Sequence, residues 1–352
     1  MIRLFALFTF LLFQALSLAQ TGSTPLSELI KKAEAGDANA QFQLGLAFED
    51  GKDVDQDDKA AVDWYRKSAA QGFAKAENSL GVMYSRGHGV PRDKEQAFSW
   101  YRKAAAQALP EADFNVATSY YNGDGVGSDL NRAYAWMLIA KRHGSPNAEQ
   151  ALSHISQDLT GHTDYGSFML GELYEKGIET PKDLKAAFET YLDLANSGRK
   201  QNGAAEIKLC EFYGNGTGVA QDLVQSKSWC RAAAKSGISS AFLMLGRMAE
   251  NGLGGPKSVK EAEVWYRDAA LSMLADGFMS MGRLKLQSGS HDDEKDAYYW
   301  FFLASLYKVR GAQDEAEKVA ANLNNSEISK ERKKAAEWML PKRGPREQPT
   351  FP

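Results

Sequence analysis

Two cysteines are the residues whose type and spacing most clearly allow chemistry in this 352-residue chain. They are Cys210 and Cys230, and without further cysteines neither a disulfide-dense scaffold nor a zinc site built on four cysteines is possible. Such a pair forms either one disulfide or two buried thiols. The choice depends on the compartment and on the elements that carry the two side chains.

Other residues with chemical potential lack the neighbours that chemistry would need. The five histidines are scattered and form no HExxH pattern. Residues 53–58 begin like a calcium loop, but Asp58 and Trp64 stand where Gly and Glu are required. Paired glycines recur, as at Gly123 and Gly125, but a dinucleotide fingerprint needs a preceding strand. No Ser/His/Asp or Cys/His arrangement has local support, so the sequence predicts no enzyme, no metal site and no cofactor.

The composition is that of a folded, nearly neutral protein. Hydrophobic residues make up 43% and charged residues 25%, and the formal net charge is -3. A nucleic-acid-binding protein would usually contain a basic domain. The sequence therefore predicts no nucleic-acid partner.

Residues 1–19 have the features of an export signal. Arg3 precedes an apolar run, and residues 17–19 (Ser-Leu-Ala) fit the small-x-small pattern of signal-peptidase sites. The run is about 15 residues, shorter than the ~20 that span a bilayer, although an uncleaved anchor is the alternative. We predict cleavage after Ala19, a periplasmic or secreted location and no integral membrane span.

A period of 36 residues organises most of the remaining chain. Trp64, Trp100 and Trp136 are separated by this period. With each repeat numbered from phase 0, repeats begin at residues 36, 72, 108, 162, 201, 237 and about 273. Most contain a small residue at phase +9, Gly at +15, Asp at +21, Ala at +25 and Trp at +28. Six of the seven tryptophans therefore share one role.

Each repeat is predicted to be a pair of antiparallel helices. Apolar residues at phases +4, +8 and +12 define one face of the first helix. Gly at +15 can end that helix in a left-handed conformation, and Asp at +21 can cap the second helix. One such pair cannot bury its apolar face alone, so successive pairs must stack.

This pattern resembles the Sel-one-like repeat (SLR) family, which is related to the tetratricopeptide repeats. Residues 74–107, AKAENSLGVMYSRGHGVPRDKEQAFSWYRKAAAQ, are close to its consensus. The resemblance covers residues 36–310, although repeat four lacks the Trp and repeat seven lacks the helix-ending Gly. It implies an all-α fold, a right-handed α-solenoid of about seven units that serves as a protein-interaction scaffold. Exported members resemble envelope regulators and assembly factors, and some act on host proteins.

The period breaks once, between residues 144 and 162, where a helical pattern has no partner. This segment is either a joint or a helical insertion in one continuous solenoid. Ser326 is predicted to cap the last helix. The predicted organisation is a signal peptide (1–19), an N-terminal lead-in (20–35), repeats one to three (36–144), the inserted helix or joint (145–161), repeats four to seven (162–310), C-terminal capping helices (311–340) and a disordered tail (341–352).

Within repeat five, Cys210 and Cys230 are at phases +9 and +29, one on each helix. Antiparallel helices that turn near phase +19 place these positions opposite each other. In an exported protein we therefore expect a disulfide. Two buried thiols in place of Gly and Tyr are the alternative.

The predicted partner-binding face is the side of the first helices away from their own apolar stripe. Because each helical residue turns by about 100°, phases +3, +6, +10 and +13 lie on that side. In tetratricopeptide-like solenoids this face lines the concave groove. Packing between neighbouring first helices is the alternative for the phase +6 row. The candidates are Phe42, Phe114, Phe168, Ile207, Leu243 and Met279 at phase +6, and Glu172, Glu211, Arg247 and Arg283 at phase +10.

The sequence thus predicts an exported, monomeric scaffold or adaptor that binds a partner protein through its concave face. Envelope regulation, assembly and host interaction are the roles that the resemblance implies. One alternative is a cell-wall-acting or β-lactam-binding enzyme of the SLR type, which would need a nucleophile in a pocket. Another is a polysaccharide-assembly factor that contacts glycans through Trp and Tyr, but the tryptophans are needed for helix packing.

Overall fold

The computed structural model describes residues 25–198 and 202–339. The predicted signal peptide and tail lie outside these residues. Within them every regular element is an α-helix. The helices are α1 (Pro25–Glu34), α2 (Ala38–Asp50), α3 (Asp58–Ala69), α4 (Ala74–Arg86), α5 (Lys94–Ala105), α6 (Pro110–Asn122), α7 (Leu130–Arg142), α8 (Ala148–Asp158), α9 (Asp164–Lys176), α10 (Leu184–Ala195), α11 (Gly203–Asn215), α12 (Leu223–Lys235), α13 (Ser239–Asn251), α14 (Val259–Leu271), α15 (Ala275–Leu286), α16 (His291–Leu306), α17 (Ala312–Ala320) and α18 (Asn325–Met339).

The described residues form two compact units, which divide between Asp183 and Leu184. In the first unit, α2 packs with α3, α4 with α5, and α6 with α7. In the second unit, α11 packs with α12, α13 with α14, and α15 with α16. The members of a pair are antiparallel, because Ser68 at the end of α3 donates to the carbonyl of Ala38 at the start of α2, at 2.7 Å. The predicted all-α architecture of stacked helix pairs is confirmed.

The predicted signals at the helix ends are confirmed. In six repeats the first helix ends at a glycine with φ between 63° and 78°. Residues with a Cβ rarely adopt this left-handed conformation. The Asp129 carboxylate at phase +21 accepts hydrogen bonds from the backbone N–H groups of Asn131 and Arg132, both at 3.0 Å. Ser258 replaces Asp at this phase and accepts from the N–H of Glu261 at 3.2 Å. Short polar side chains therefore start the second helices.

The small residue at phase +9 lets the second helix approach the first. A Cβ on Gly81 would lie 2.6 Å from the ring of Tyr101, which is at phase +29. In repeat five the same two phases hold Cys210 and Cys230, both fully buried and joined by a disulfide with a Cα–Cα distance of 5.1 Å. The predicted pairing is confirmed, and the bridge stands where other repeats have a Gly/Tyr contact.

A second recurring contact joins phases +5 and +35, at the open end of the helix pair. It is a side-chain hydrogen bond between residues 30 positions apart, so it ties the start of the first helix to the residue after the second. The pairs are Gln41–Gln71 and Glu77–Gln107, both at 2.8 Å, and Asp113–His143 and Glu206–Ser236, both at 2.6 Å. In repeat seven, the rings of Phe278 and Tyr307 stack there with centroids 5.2 Å apart.

The phase +28 tryptophans are packing residues. Trp64, Trp136, Trp265 and Trp300 are buried, whereas Trp100 and Trp229 are half-buried. Trp338 in α18 contacts Trp300 edge to face, with ring centroids 5.8 Å apart. The last helix therefore covers the apolar side of repeat seven.

Further helices cover or interrupt the repeats. In the lead-in, α1 packs Leu26, Leu29 and Ile30 against a core cluster that includes Trp64. The helix α8 occupies the predicted insertion and buries Leu152 beside α7. The boundary between the two compact units falls at residues 183/184, outside the segment 145–161. The joint itself stays a prediction.

The predicted cap of the last helix is wrong by two positions. Asn324 accepts a hydrogen bond from the N–H of Glu327, and its own N–H donates to the Glu327 carboxylate, both at 3.0 Å. This reciprocal pair is a capping box, which requires an acidic residue three positions after the cap. Asn324 meets that requirement, whereas Ser326 lies inside the first turn.

Candidate partner-binding surface

Half of the phase +6 candidates lie in the core. Phe42, Leu243 and Met279 are buried, and their environment favours the packing alternative. The ring centroid of Phe42 is 5.5 Å from that of Phe73, which precedes the next first helix. Ile207 is partly buried against the core of the second unit. The remaining members, Phe114 and Phe168, are half-buried in the first unit.

The phase +10 row reaches the surface. Glu172 and Glu211 are partly exposed and form ion pairs with lysines on their own helices, at 2.7 Å and 3.8 Å. Arg247 and Arg283 are exposed. Within the second unit, this row therefore changes from acidic in repeat five to basic in repeats six and seven. None of these four charges is buried in the core, so a partner can contact them.

In repeats one and six, phase +13 turns toward the second helix instead of the open face. Glu49 accepts a hydrogen bond from the Tyr65 hydroxyl, and Glu250 accepts one from the Tyr266 hydroxyl at 2.6 Å. Burial and this carboxylate raise the pKa of Tyr266. The reason is geometric, because phase +13 is one helical turn beyond phase +9, where the second helix makes its closest approach. In these two repeats the open face is therefore narrower than the sequence predicted.

A groove of about 200 Å³ lies between the first helices α4 and α6. Val82 and Thr118, both at phase +10, line it together with Ser85, Arg86 and Asn115. The lining thus combines hydroxyl, amide and guanidinium groups, which can bind the backbone and polar side chains of a peptide. Sequence reasoning did not name Ser85, Arg86 and Asn115, because candidate residues were taken only from phases +6 and +10, and Ser85 lies at phase +13.

Several contacts shape this groove. The amide of Asn115 donates to the Asn78 side-chain oxygen at 2.9 Å, which joins α6 to α4. Lys94 and Asp124 form an ion pair and also line the groove. The ring of Tyr101 contributes part of the lining, and burial raises the pKa of its hydroxyl. The groove is therefore a polar site with an aromatic component.

The buried Asp113 and the half-buried His143 resemble two members of a catalytic triad, but their contact is one that recurs between the helices of other repeats. His143 Nδ1 lies 2.6 Å from Asp113 Oδ2, at the phase +5/+35 contact that other repeats make with different side chains. Burial raises the pKa of Asp113 to about 6. In the described part of the chain, no cluster of three or more His, Cys, Asp or Glu side chains could hold a metal. Over the same residues, every helix is too short or too polar to span a bilayer.

Comparison with known proteins identifies the repeat. A family model of the Sel1 repeat matches residues 38–73, 74–109, 110–145, 165–189, 203–238 and 240–272. A stretch of 57 residues is 39% identical to the secretory immunoglobulin A-binding protein EsiB of Escherichia coli. This stretch is 16% of the chain and only 12% of the length of that relative.

Solved structures with the same kind of repeat are also similar. One is a protective antigen of uropathogenic Escherichia coli strains that displays an SLR fold, at 28% identity and a TM-score of 0.42, over 90% of this chain and 73% of that chain. Another is a Sel1 repeat protein from Oxalobacter formigenes, at 26% identity and a TM-score of 0.31, over 70% of this chain and 87% of that chain.

Proposed function

The chain belongs to the Sel1 repeat family, and we propose that it is an exported, monomeric scaffold that binds a partner protein along the first helices of its repeats. Sel1 repeats generally mediate protein–protein interactions and are typically not enzymes. The distribution of charge at phase +10 supports this proposal. Glu211, Arg247 and Arg283 reach the surface of the second unit, whereas the neighbouring phase +6 residues Leu243 and Met279 are buried.

The groove between α4 and α6 supports the same proposal in the first unit. Its lining offers a guanidinium, amides and hydroxyls beside Val82, and these groups suit an extended segment with polar and small apolar side chains. The relative EsiB is a protein that binds secretory immunoglobulin A. A protein ligand is therefore the class that we assign to this surface.

Two observations support export. The disulfide between Cys210 and Cys230 suits an oxidising compartment. The apolar N-terminal segment has a sequence typical of a cleaved signal peptide, with the site after Ala19. We therefore place the protein in the periplasm or outside the cell, where envelope regulation, assembly or host interaction are the roles open to it.

Charge reversal at phase +10 tests the binding face. The double variant Glu172→Arg and Glu211→Arg is expected to lose partner capture from an envelope extract, as read by mass spectrometry. Its melting temperature should stay within about 2 °C of wild type, because exposed ion pairs on one helix contribute little to stability. The control is Glu337→Arg on α18, an exposed glutamate outside the proposed face. Equal capture by the double variant and the wild type would reject the face.

A further inference from the structure

A second groove lies in the first unit, on a different kind of surface. It runs between α5, which is a second helix, and the loop 177–181 that follows α9, and it has a volume of about 570 Å³. Its α5 lining includes Phe98, Ser99 and Arg102, whereas the first-helix groove uses Ala97 and Tyr101 of the same helix. The two grooves are therefore on different faces of α5.

Glu179 anchors the loop that forms one wall of this groove. Its carboxylate accepts hydrogen bonds from the Tyr120 hydroxyl, the Arg132 guanidinium and the Trp136 indole, each at 3.2 Å. In repeat three the same phase is Gly125, where a Cβ would lie only 2.0 Å from the Lys94 carbonyl oxygen. Glutamate at this phase holds the loop on α6 and α7 through three side-chain contacts. The wall of the groove is thus built by specific interactions.

Arg102 lines the groove without a partner for its charge. Its Nε atom is buried and has no hydrogen-bond partner, and no ion pair of Arg102 occurs among residues 25–198 and 202–339. A buried N–H without an acceptor is costly and is rarely left unsatisfied in a folded protein. The Arg102 guanidinium therefore has hydrogen-bonding capacity that the described part of the chain leaves unused.

Comparison with the other repeats shows why Arg102 is unpaired. Its phase equivalent Arg66 donates to the Tyr84 hydroxyl at 3.0 Å and to Asp63 at 3.3 Å. In repeat two, Ser99 replaces that aspartate. The tyrosine equivalent to Tyr84 is Tyr120, and Glu179 and Arg132 already bind its hydroxyl.

Arg102 also lacks the ion pair with the next repeat that an equivalent arginine forms. Arg231, another phase equivalent, pairs with Glu261 of the next repeat at 3.0 Å. The residue equivalent to Glu261 beside Arg102 is Arg132, which has the same charge as Arg102. In repeat two, the residues that would pair with this arginine are therefore either replaced by other residue types or already bound by other side chains.

Apolar surface lies beside this charge. The side chain of Ile178 is 69% exposed, which is unusual for an isoleucine, and Phe98 is half-buried against Tyr120. Pro181 and Ala106 also line the groove. An unneutralised guanidinium next to apolar side chains is complementary to a carboxylate flanked by apolar residues.

We propose that this groove binds an extended segment of a partner protein in which an acidic side chain lies between two apolar ones. The carboxylate would pair with Arg102, and its neighbours would cover Ile178 and Phe98. This site is independent of the proposed first-helix surface, since its residues lie on another face of α5. The chain would then contact partners through both kinds of helix.

A peptide array tests this proposal. The array contains heptapeptides with a central Asp flanked by every combination of Leu, Ile, Val, Phe and Met, each beside a matched peptide with Asn. The purified full chain should retain Asp peptides and bind the Asn counterparts about tenfold more weakly, as measured by fluorescence polarisation of the strongest binders. If no Asp peptide binds better than its Asn counterpart, the proposal is wrong.

Variants assign the site. Arg102→Gln should remove the preference for Asp peptides over Asn peptides. Ile178→Ser should weaken the binding of every peptide but leave the melting temperature of the protein unchanged, because Ile178 is exposed. Arg231→Gln is the matched control, since Glu261 already neutralises that arginine, and its binding should equal wild type. The proposal would be overturned if Arg102→Gln still preferred Asp peptides to Asn peptides, or if Ile178→Ser bound the peptides as tightly as the wild type. A concentration-dependent dimer that Arg102→Gln abolishes would identify a second copy as the occupant and would also overturn it.

Discussion

The hydrogen bond between Asp113 and His143 shows how residue type changes the properties of a recurring contact. In repeat one the same position holds a neutral pair, Gln41 and Gln71. Asp113 is fully buried, and its Oδ1 atom has no hydrogen-bond partner in the described part of the chain. Burial raises the pKa of Asp113 to about 6, and the interaction with His143 lowers it only in part. This contact should therefore depend on pH.

Asp113→Asn should change the pH dependence of stability. A buried carboxyl with a raised pKa binds its proton more tightly in the folded state, so folding takes up a proton between pH 3.8 and about pH 6. The free energy of unfolding of the wild type should fall as the pH rises through this interval, by up to about 3 kcal/mol. Asparagine has no charge to bury. The melting temperature of the variant relative to that of the wild type should therefore increase between pH 4 and pH 7.

The control for this experiment is Asp314→Asn, which changes an exposed aspartate on α17. Its melting temperature should follow that of the wild type at every pH. Parallel pH profiles of Asp113→Asn and the wild type would show that the carboxyl is not the titrating group.

At the scale of the helix pair, the residue types predicted some contacts and not others. The caps, the phase +9/+29 approach and the buried tryptophans could be predicted, because each position repeats one residue type that has one physical role. The phase +5/+35 contact could not, since Gln/Gln, Asp/His and a Phe/Tyr stack have no common residue type. The pair α15 and α16 keeps the predicted phase +9/+29 approach, between Gly282 and Phe301, although no family-model match covers that repeat.

The disulfide should stabilise its helix pair, and the Gly/Tyr contact of other repeats should replace it in part. Cys210→Ser with Cys230→Ser removes a bridge that closes a loop of 20 residues, and we expect a loss of about 3 kcal/mol in urea unfolding. Cys210→Gly with Cys230→Tyr restores the residue types of repeat two. This variant should be intermediate in stability, because the ring refills the space that the sulfur atoms leave.

Both variants need the wild type with and without reductant as a reference. The serine variant should be insensitive to reductant, whereas the wild type should lose stability in it. Equal stability of the Gly/Tyr and Ser/Ser variants would show that the tyrosine contact does not transfer to repeat five.

Across the whole molecule, each helix pair contacts mainly its neighbours in the chain, as in other repeat proteins. Some contacts between neighbouring repeats were nevertheless not predictable from the repeat pattern. Glu179 meets Tyr120 and Trp136, which are 59 and 43 residues away. No periodic signal marks these partners, since Glu179 differs from the residue that most repeats have at its phase. The 570 Å³ groove therefore could not be predicted from the sequence.

Because each helix pair contacts mainly its neighbours, reduction of the disulfide should lower stability only in the helices close to it. Because Cys210 and Cys230 lie in the second compact unit, reduction should raise hydrogen exchange in α11, α12 and the adjoining α13. Exchange in α2 to α7 of the first unit should stay the same. Mass spectrometry of the exchanged peptides measures both regions in one sample, and increased exchange across α2 to α7 would contradict local coupling.

The bridge in repeat five also has a mechanical consequence. Pulling on the two ends of a chain extends every segment that is not covalently closed. Because Cys210 and Cys230 are joined, the residues between them cannot contribute to that extension. At about 3.3–3.6 Å per extended residue, roughly 65 Å of chain length stays hidden until the disulfide is reduced. Repeat five is therefore the part of the array in which tension can fully extend the chain only after a change of redox state.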